Sequence, residues 1–194
     1  MTVHQQSRPA RTTGGPSTGS ATAPVAARVL AALRLVMGGI FLWAFLDKAF
    51  GLGYATRSEN AWINGGSPAG GYLSRVSAGP LESTFHSWAG AVWVDWLYMA
   101  GMLGLGVALL AGIGLRMAAI AGSLMMAMMW MAEWPPAREL SDGSPSMSPN
   151  PLIDQHVVYA LILVVLAAFA AGRTWGLADH WARTPVAARS PWLQ

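Results

Sequence analysis

Asp47, Lys48, Asp95, Glu133, Asp154 and His156 are the side chains of this sequence best placed to do chemistry, because each stands at the edge of a long apolar run. Carboxylates and an imidazole can exchange protons, and a lysine can donate hydrogen bonds or balance negative charge. Such groups are costly at a membrane interface unless paired or wetted. Together they therefore point to a polar pocket near one membrane face, bounded by Trp and Met. Lys48, Asp95, Glu133 and His156 are its expected proton-exchanging or hydrogen-bonding members. The competing reading is structural, with the same groups forming helix-end salt bridges and His156 an ordinary interfacial histidine.

Four apolar segments must bring these residues together. The first spans about 28–50 and contains RLVMGGIFLWAFLDK. From Arg28 to Lys48 it covers about 30 Å as a helix, roughly one hydrocarbon core. Arg34, Phe41 and Lys48 recur every seven residues, so they share one helix face, and that face is expected to look at protein rather than lipid. Arg34 and Asp47 are read as structural, with Arg34 snorkelling toward the near interface or pairing inside the bundle. The second span, about 88–113, carries Ala100, Gly104, Ala108 and Gly112 at four-residue intervals. This small-residue ridge predicts close helix packing, either within the chain or across a homodimer seam. Trp88, Trp93 and Trp96 near Asp95 suit an interfacial belt.

The GIGLR turn leads to the third span, about 117–134, rich in methionine from Met125 to Met131, which reads as adaptable packing. Pro135 and Pro136 stop it. Asn150 before Pro151 predicts a helix start, and the fourth span follows over about 152–172 with Asp154 in its first turn. Between the first two spans, residues 51–87 form a Gly-rich, Pro-broken loop whose aromatic residues suggest contact with the interface, with a short helix within 69–79. Residues 1–24 read as a disordered tail ahead of an uncleaved signal anchor, 25–182 as the membrane domain, and 183–194 as a second tail. The expected fold is therefore an all-α antiparallel bundle of four membrane helices with a structured first extracytoplasmic loop.

Composition narrows the function. Of 194 residues, 54% are hydrophobic and only 11% charged, which excludes an ordinary soluble globule. Cysteine is absent, so disulfide exchange, persulfide chemistry and Cys-ligated clusters cannot reside in this chain. No histidine pair is spaced for one helix face, and neither metal nor haem is expected. Basic residues without interleaved aromatics argue against nucleic acid. Arg8, Arg11, Arg28, Arg34, Arg116, Arg173, Arg183 and Arg189 fall on the side of the termini, whereas Lys48, Arg57, Arg75 and Arg138 fall on the other. That bias predicts cytoplasmic termini in a bacterial-type plasma membrane.

The motifs RLVMGGIFLWAFLDKAFG, the Gly-Ser-Pro of WINGGSPAGGYL, and NPLIDQHVVYALIL leading to GRTWGLADHW resemble the DoxX family of four-helix bacterial membrane proteins, closest to its DoxD-like branch. The resemblance covers about residues 28–181. It implies a four-helix bundle and, for that branch, the membrane subunit of a thiosulfate:quinone oxidoreductase. Other members act in membrane-associated redox or oxidative-stress complexes, or as assembly factors. On this basis the pocket would take a quinone headgroup, with Lys48 or His156 bonding a ring oxygen, Asp95 or Glu133 exchanging protons, and Trp96 and Trp130 flanking it. The alternative is a non-catalytic scaffold whose ridge and loops bind a partner protein or a second copy. A transporter is the third reading, since four spans need oligomerisation to enclose a path.

Overall fold

The computed structural model describes residues 19–190, with side chains from residue 23 onward. Three helices are long and apolar enough to cross a membrane: α1 (Gly19–Phe50), whose membrane-competent part is Ala23–Phe50, α4 (Val92–Ala111) and α5 (Leu115–Glu133). They make the chain an all-α, multi-span membrane protein. Short helices α2 (Gly70–Leu73) and α3 (Glu82–Trp88) lie between α1 and α4. After α5 come α6 (Gln155–Ala168), α7 (Ala178–Ala182) and α8 (Pro185–Arg189).

Helix α1 starts earlier than the sequence suggests, so residues 19–24 of the expected tail are helical; the rest of that tail, like residues 191–194, lies outside the described residues. Pro24 sits near the helix start, where few intrahelical hydrogen bonds are lost. Residues 183–190 also depart from a plain tail: they include α8, and Ala187 is fully buried.

The fourth apolar segment differs most. It is helical over only 14 residues, about 21 Å, rather than from 152 to 172. Asn150 does not cap the helix. Its side chain instead accepts the N–H groups of Leu152 and Ile153 in a local turn, and the cap is Asp154. Both residue types can cap, and Asp154 wins because its carboxylate takes two N–H groups of the first helical turn, from His156 and Val157. At the other end the helix stops at Ala168, where Phe169 and a left-handed Ala170 turn the chain.

Helix packing follows from which small residues meet. Gly38 faces Leu110 and Gly106 faces Leu42, so α1 and α4 run antiparallel in close contact. Gly122 of α5 seats Leu163 of α6, and Trp130 bonds Leu152, giving a second antiparallel pair. Leu105 also packs at Gly122 and joins the pairs. Met37, Phe41, Leu109, Met126, Leu163 and Leu166 form the shared core. The methionines of α5 from Met125 to Met131 pack into this core and its neighbours, as their adaptable shape suggests, while Met117 is exposed.

The small-residue ridge on α4 divides in this geometry: Ala108 packs against the shared core, and Gly112 lies close to the Gly172 backbone and the Arg34 guanidinium. Ala100 and Gly104 are exposed, with open space where a Gly104 side chain would project. Gly112 is buried, but as the left-handed residue that ends α4 (φ +71°). The close approach to α1 at Leu42 uses Gly106, which lies on a different face from Gly104.

Arg34 neither snorkels nor meets a carboxylate. It is fully buried, and its guanidinium donates to the carbonyls of Leu109 and Leu110 at the end of α4 and of Ala171, Thr174 and Trp175 beyond α6. The negative ends of helices, rich in unpaired carbonyls, supply its counter-charge.

Candidate functional site

At the end of α5, Trp134 adopts a left-handed conformation (φ 40°) and Pro135 follows, so the helix stops with Glu133 as its last residue. Antiparallel α6 begins at the same level. Asp154 orients its own neighbour: Oδ1 accepts the His156 N–H (2.9 Å) and the Val157 N–H (3.1 Å), while Oδ2 accepts from His156 Nδ1 (2.8 Å). The His156 side chain is buried and that of Asp154 only partly exposed. Glu133 joins them, with one ligand-type atom from each of Glu133, Asp154 and His156 within 4.8 Å of one another.

Tyr72, on α2, reaches down to this cluster. Its hydroxyl lies 3.4 Å from both the Met129 carbonyl and Glu133 Oε1. Trp130 covers the side, donating from Nε1 to the Leu152 carbonyl (3.0 Å) and packing edge-on against Trp134. Burial pushes the Tyr72 phenol well above its ordinary pKa, and the charge of Glu133 adds to the effect, so the phenol stays protonated as a donor. Burial alone would raise the Asp154 pKa, but the His156 side-chain bond and the Val157 and His156 N–H groups outweigh it. The carboxyl is held below its ordinary value.

Because Asp154 is ionised, it accepts and Nδ1–H donates. The other ring nitrogen, Nε2, is then the basic one, able to accept a hydrogen bond, take a proton or bind a cation. The Glu133, Asp154 and His156 donor set could hold a divalent cation, although both Asp154 oxygens are already engaged by N–H donors.

Expected groups outside this cluster have other positions. Asp95 is buried and accepts the Ala69 N–H (2.8 Å), tying the loop to α4. Asp47 is buried and accepts the N–H groups of Tyr54 (3.2 Å) and Ala55 (3.0 Å), folding the chain back over the end of α1. Lys48 is half-buried and makes no hydrogen bond or ion pair among the described residues. Trp96 is exposed and packs edge-on against Trp62. No hydrogen bond, ion pair or ring contact among the described residues links Lys48, Asp95 or Trp96 to the Glu133 cluster. Glu133, Asp154, His156 and Trp130 are thus the expected residues that converge. Tyr72 is the member that sequence reasoning missed, since its only signal was that of one aromatic among several in a polar loop.

The loops that flank α2 and follow α5 are also joined to each other. Ser141 donates its N–H to the Ser77 carbonyl (2.7 Å), and its hydroxyl lies 2.8 Å from Ser77 O and 2.6 Å from Glu82 Oε2. The segment after α5 is thereby joined to the one before α3.

Asp154→Ala is expected to cost about 1–2 kcal/mol through the lost cap. Since the Asp154 pKa is lowered by folding, its contribution is complete above about pH 4 and declines as pH falls through the depressed value. Thermal unfolding in detergent across pH 2–6 should show a shallower acid loss for Asp154→Asn than for the parent. Equal slopes would remove Asp154 as the responsible group.

No protein-family model, curated protein or solved structure matches this chain. Its membrane character rests on the length and composition of its helices.

Proposed function

We propose that the chain is a DoxX-like membrane protein with four spans, in which α6 makes a short fourth crossing and both termini lie in the cytoplasm. In this reading it is the membrane subunit of a quinone-linked redox complex, and the Tyr72, Glu133, Asp154 and His156 cluster receives the quinone headgroup. The observation that carries the reading is the Asp154–His156 dyad beside Glu133 at the helix ends.

The donor set fits such a headgroup. The Tyr72 hydroxyl can donate to a ring oxygen, and His156 Nε2 and the Glu133 carboxylate can accept from ring hydroxyls. Trp130 and Met129 supply apolar edges. Reducing a quinone consumes two protons and two electrons. His156 and Glu133 would pass the protons, with Asp154 stabilising the imidazolium when it forms. A donor on a partner subunit would supply the electrons, because a chain without cysteine carries no Cys-ligated cluster.

The test is purification from native membranes, extraction and quantification of bound quinone, and donor-dependent quinone reduction by those membranes. Quinone should co-purify near stoichiometrically, and His156→Gln should lower the rate by roughly 100-fold or more, the scale of a lost acid–base group. Loss of Lys48 should leave the rate within about twofold, since it stands outside the cluster. A protein free of quinone, with a rate indifferent to His156→Gln, would reject the reading.

A second reading is favoured by the exposed Ala100 and Gly104 on α4, which form a smooth strip suited to another transmembrane helix. There the chain is a non-catalytic scaffold, and a partner that dissociates on Gly104→Leu, without change in quinone content, would identify it.

A further inference from the structure

The opposite end of the α5–α6 pair has a different character. Where α6 is short and its last turns carry Ala167 and Ala168, it leaves a groove against Ala119, Ile120 and Ser123 of α5. The groove is shallow and open, with a volume of about 550 Å³, and is apolar except for the Ser123 hydroxyl, which is buried and has no hydrogen-bond partner among the described residues. Arg116 stands at its end. Arg116 and Ala167 also line a smaller cleft of about 140 Å³, which continues past the α4–α5 turn to Arg173, Asp179 and Trp181.

An apolar slot at membrane depth thus opens into a polar cleft with two guanidinium groups and one carboxylate. Trp175 and Leu177 are exposed nearby, as expected where a chain lies in the headgroup layer. This order of chemistry, hydrocarbon first and cations at the interface, is that of a phospholipid read from tail to phosphate.

We propose that the α5–α6 groove binds an anionic phospholipid, with one acyl chain between Ala119, Ser123 and Ala167 and the phosphate between Arg116 and Arg173. Charge selects the occupant. Among the described residues, apart from the fully buried Arg34, this end carries Arg28, Arg116, Arg173, Arg183 and Arg189 against Asp179 alone. A second copy would bring the same cationic surface to the groove and be repelled. A neutral isoprenoid would do nothing to offset the excess positive charge of this end. Zwitterionic lipid satisfies the phosphate contact but adds a cation to an already positive cleft. Anionic lipids at the cytoplasmic face attract basic residues at this level, and pockets between helices there hold their headgroups.

The test is native mass spectrometry of the detergent-purified full chain, titrated with dioleoyl phosphatidylglycerol or dioleoyl phosphatidylcholine, with inorganic phosphate as a competitor. The two lipids share their acyl chains and differ in charge. Phosphatidylglycerol should bind roughly 30-fold more tightly, with about fivefold from each arginine. Arg173→Gln should remove about fivefold, the Arg116→Gln/Arg173→Gln pair should erase the preference, and Ala167→Phe should weaken both lipids by filling the slot. Phosphate at millimolar concentration should displace little lipid.

Equal binding of the two lipids by the parent protein would overturn the proposal. So would a preference unchanged in Arg173→Gln and in the double variant, or complete displacement by phosphate, which would reduce the site to a free-anion site. Arg116 and Arg173 are exposed, so their replacement leaves the core intact and the outcome readable. None of these readouts involves quinone, so the groove and the Glu133 cluster stand or fall separately.

Discussion

Arg34→Met yields little or no folded protein. The substitution keeps much of the length and apolar volume but removes every donor from the point where α1, the end of α4 and the turn after α6 meet. The Ala171 carbonyl it leaves is buried, and the Leu109 carbonyl, buried too, keeps only the 3.2 Å bond from the Gly112 N–H. Hydrogen bonds to a charged group contribute about 1.5–3 kcal/mol each, and stranded buried acceptors cost on the order of 1–3 kcal/mol. These terms are not additive, but a loss of about 4 kcal/mol or more is a large share of a protein's stability. Arg34→Lys should recover only part of it, because an ammonium is a point donor and cannot span both the α4 terminus and the 171–175 turn. Size-exclusion profiles and thermal unfolding in detergent should rank the parent, Arg34→Lys and Arg34→Met in that order. A monodisperse Arg34→Met with parental unfolding temperature would show that these carbonyls find other partners.

Gly106→Val is expected to be the next most damaging change, and Gly104→Val the informative contrast. A Cβ at Gly106 would lie 2.8 Å from the Leu42 backbone nitrogen and 2.9 Å from its Cα. Backbone cannot rotate aside as a side chain can, so α1 and α4 must separate along their shared length. Overpacking of this kind costs about 1–3 kcal/mol, and a β-branched residue falls at the upper end. At Gly104, two residues earlier, nothing lies within 4 Å of the added atom. Gly104→Val should therefore unfold within a few degrees of the parent, while Gly106→Val unfolds well below it. Similar losses at both positions would mean that Gly104 also packs against a helix, as in the scaffold reading.

The Gly104 and Gly106 pair shows where reading the sequence stops. Four-residue spacing marked Ala100, Gly104, Ala108 and Gly112 as a ridge, and that spacing is real. Positions two apart on a helix point about 200° away from one another, and only the rotation of α4 against its neighbours decides which face is covered. Gly106 carried no pattern of its own.

Arg34 was legible as a structural cation inside an apolar run, to be satisfied either by snorkelling to the interface or by protein; the fold chose protein. Its partners were not, because they are carbonyls 75 to 141 residues away, and every residue has a carbonyl. The helix start before α6 was legible to within a few residues, since Asn150 and Asp154 can both cap. Three-dimensional placement gave the cap to Asp154 and made it the residue that orients His156.

The amino-acid sequence by itself determined that the chain is helical and built for a membrane, where its four apolar helices lie to within several residues, and that its carboxylates gather at helix ends. Apolar runs, prolines and caps act over a few neighbouring residues, so their meaning is local. The tertiary structure alone decided that Asp47 and Asp95 hold loops by their N–H groups, while Glu133, Asp154 and His156 meet Tyr72. Asp47, Asp95, Glu133, Asp154 and His156 all read alike in sequence, as titratable residues at the edge of an apolar run. What separated them was which backbone donor or side chain lay opposite once the helices had docked, a matter of helix rotation and loop path that no single segment carries.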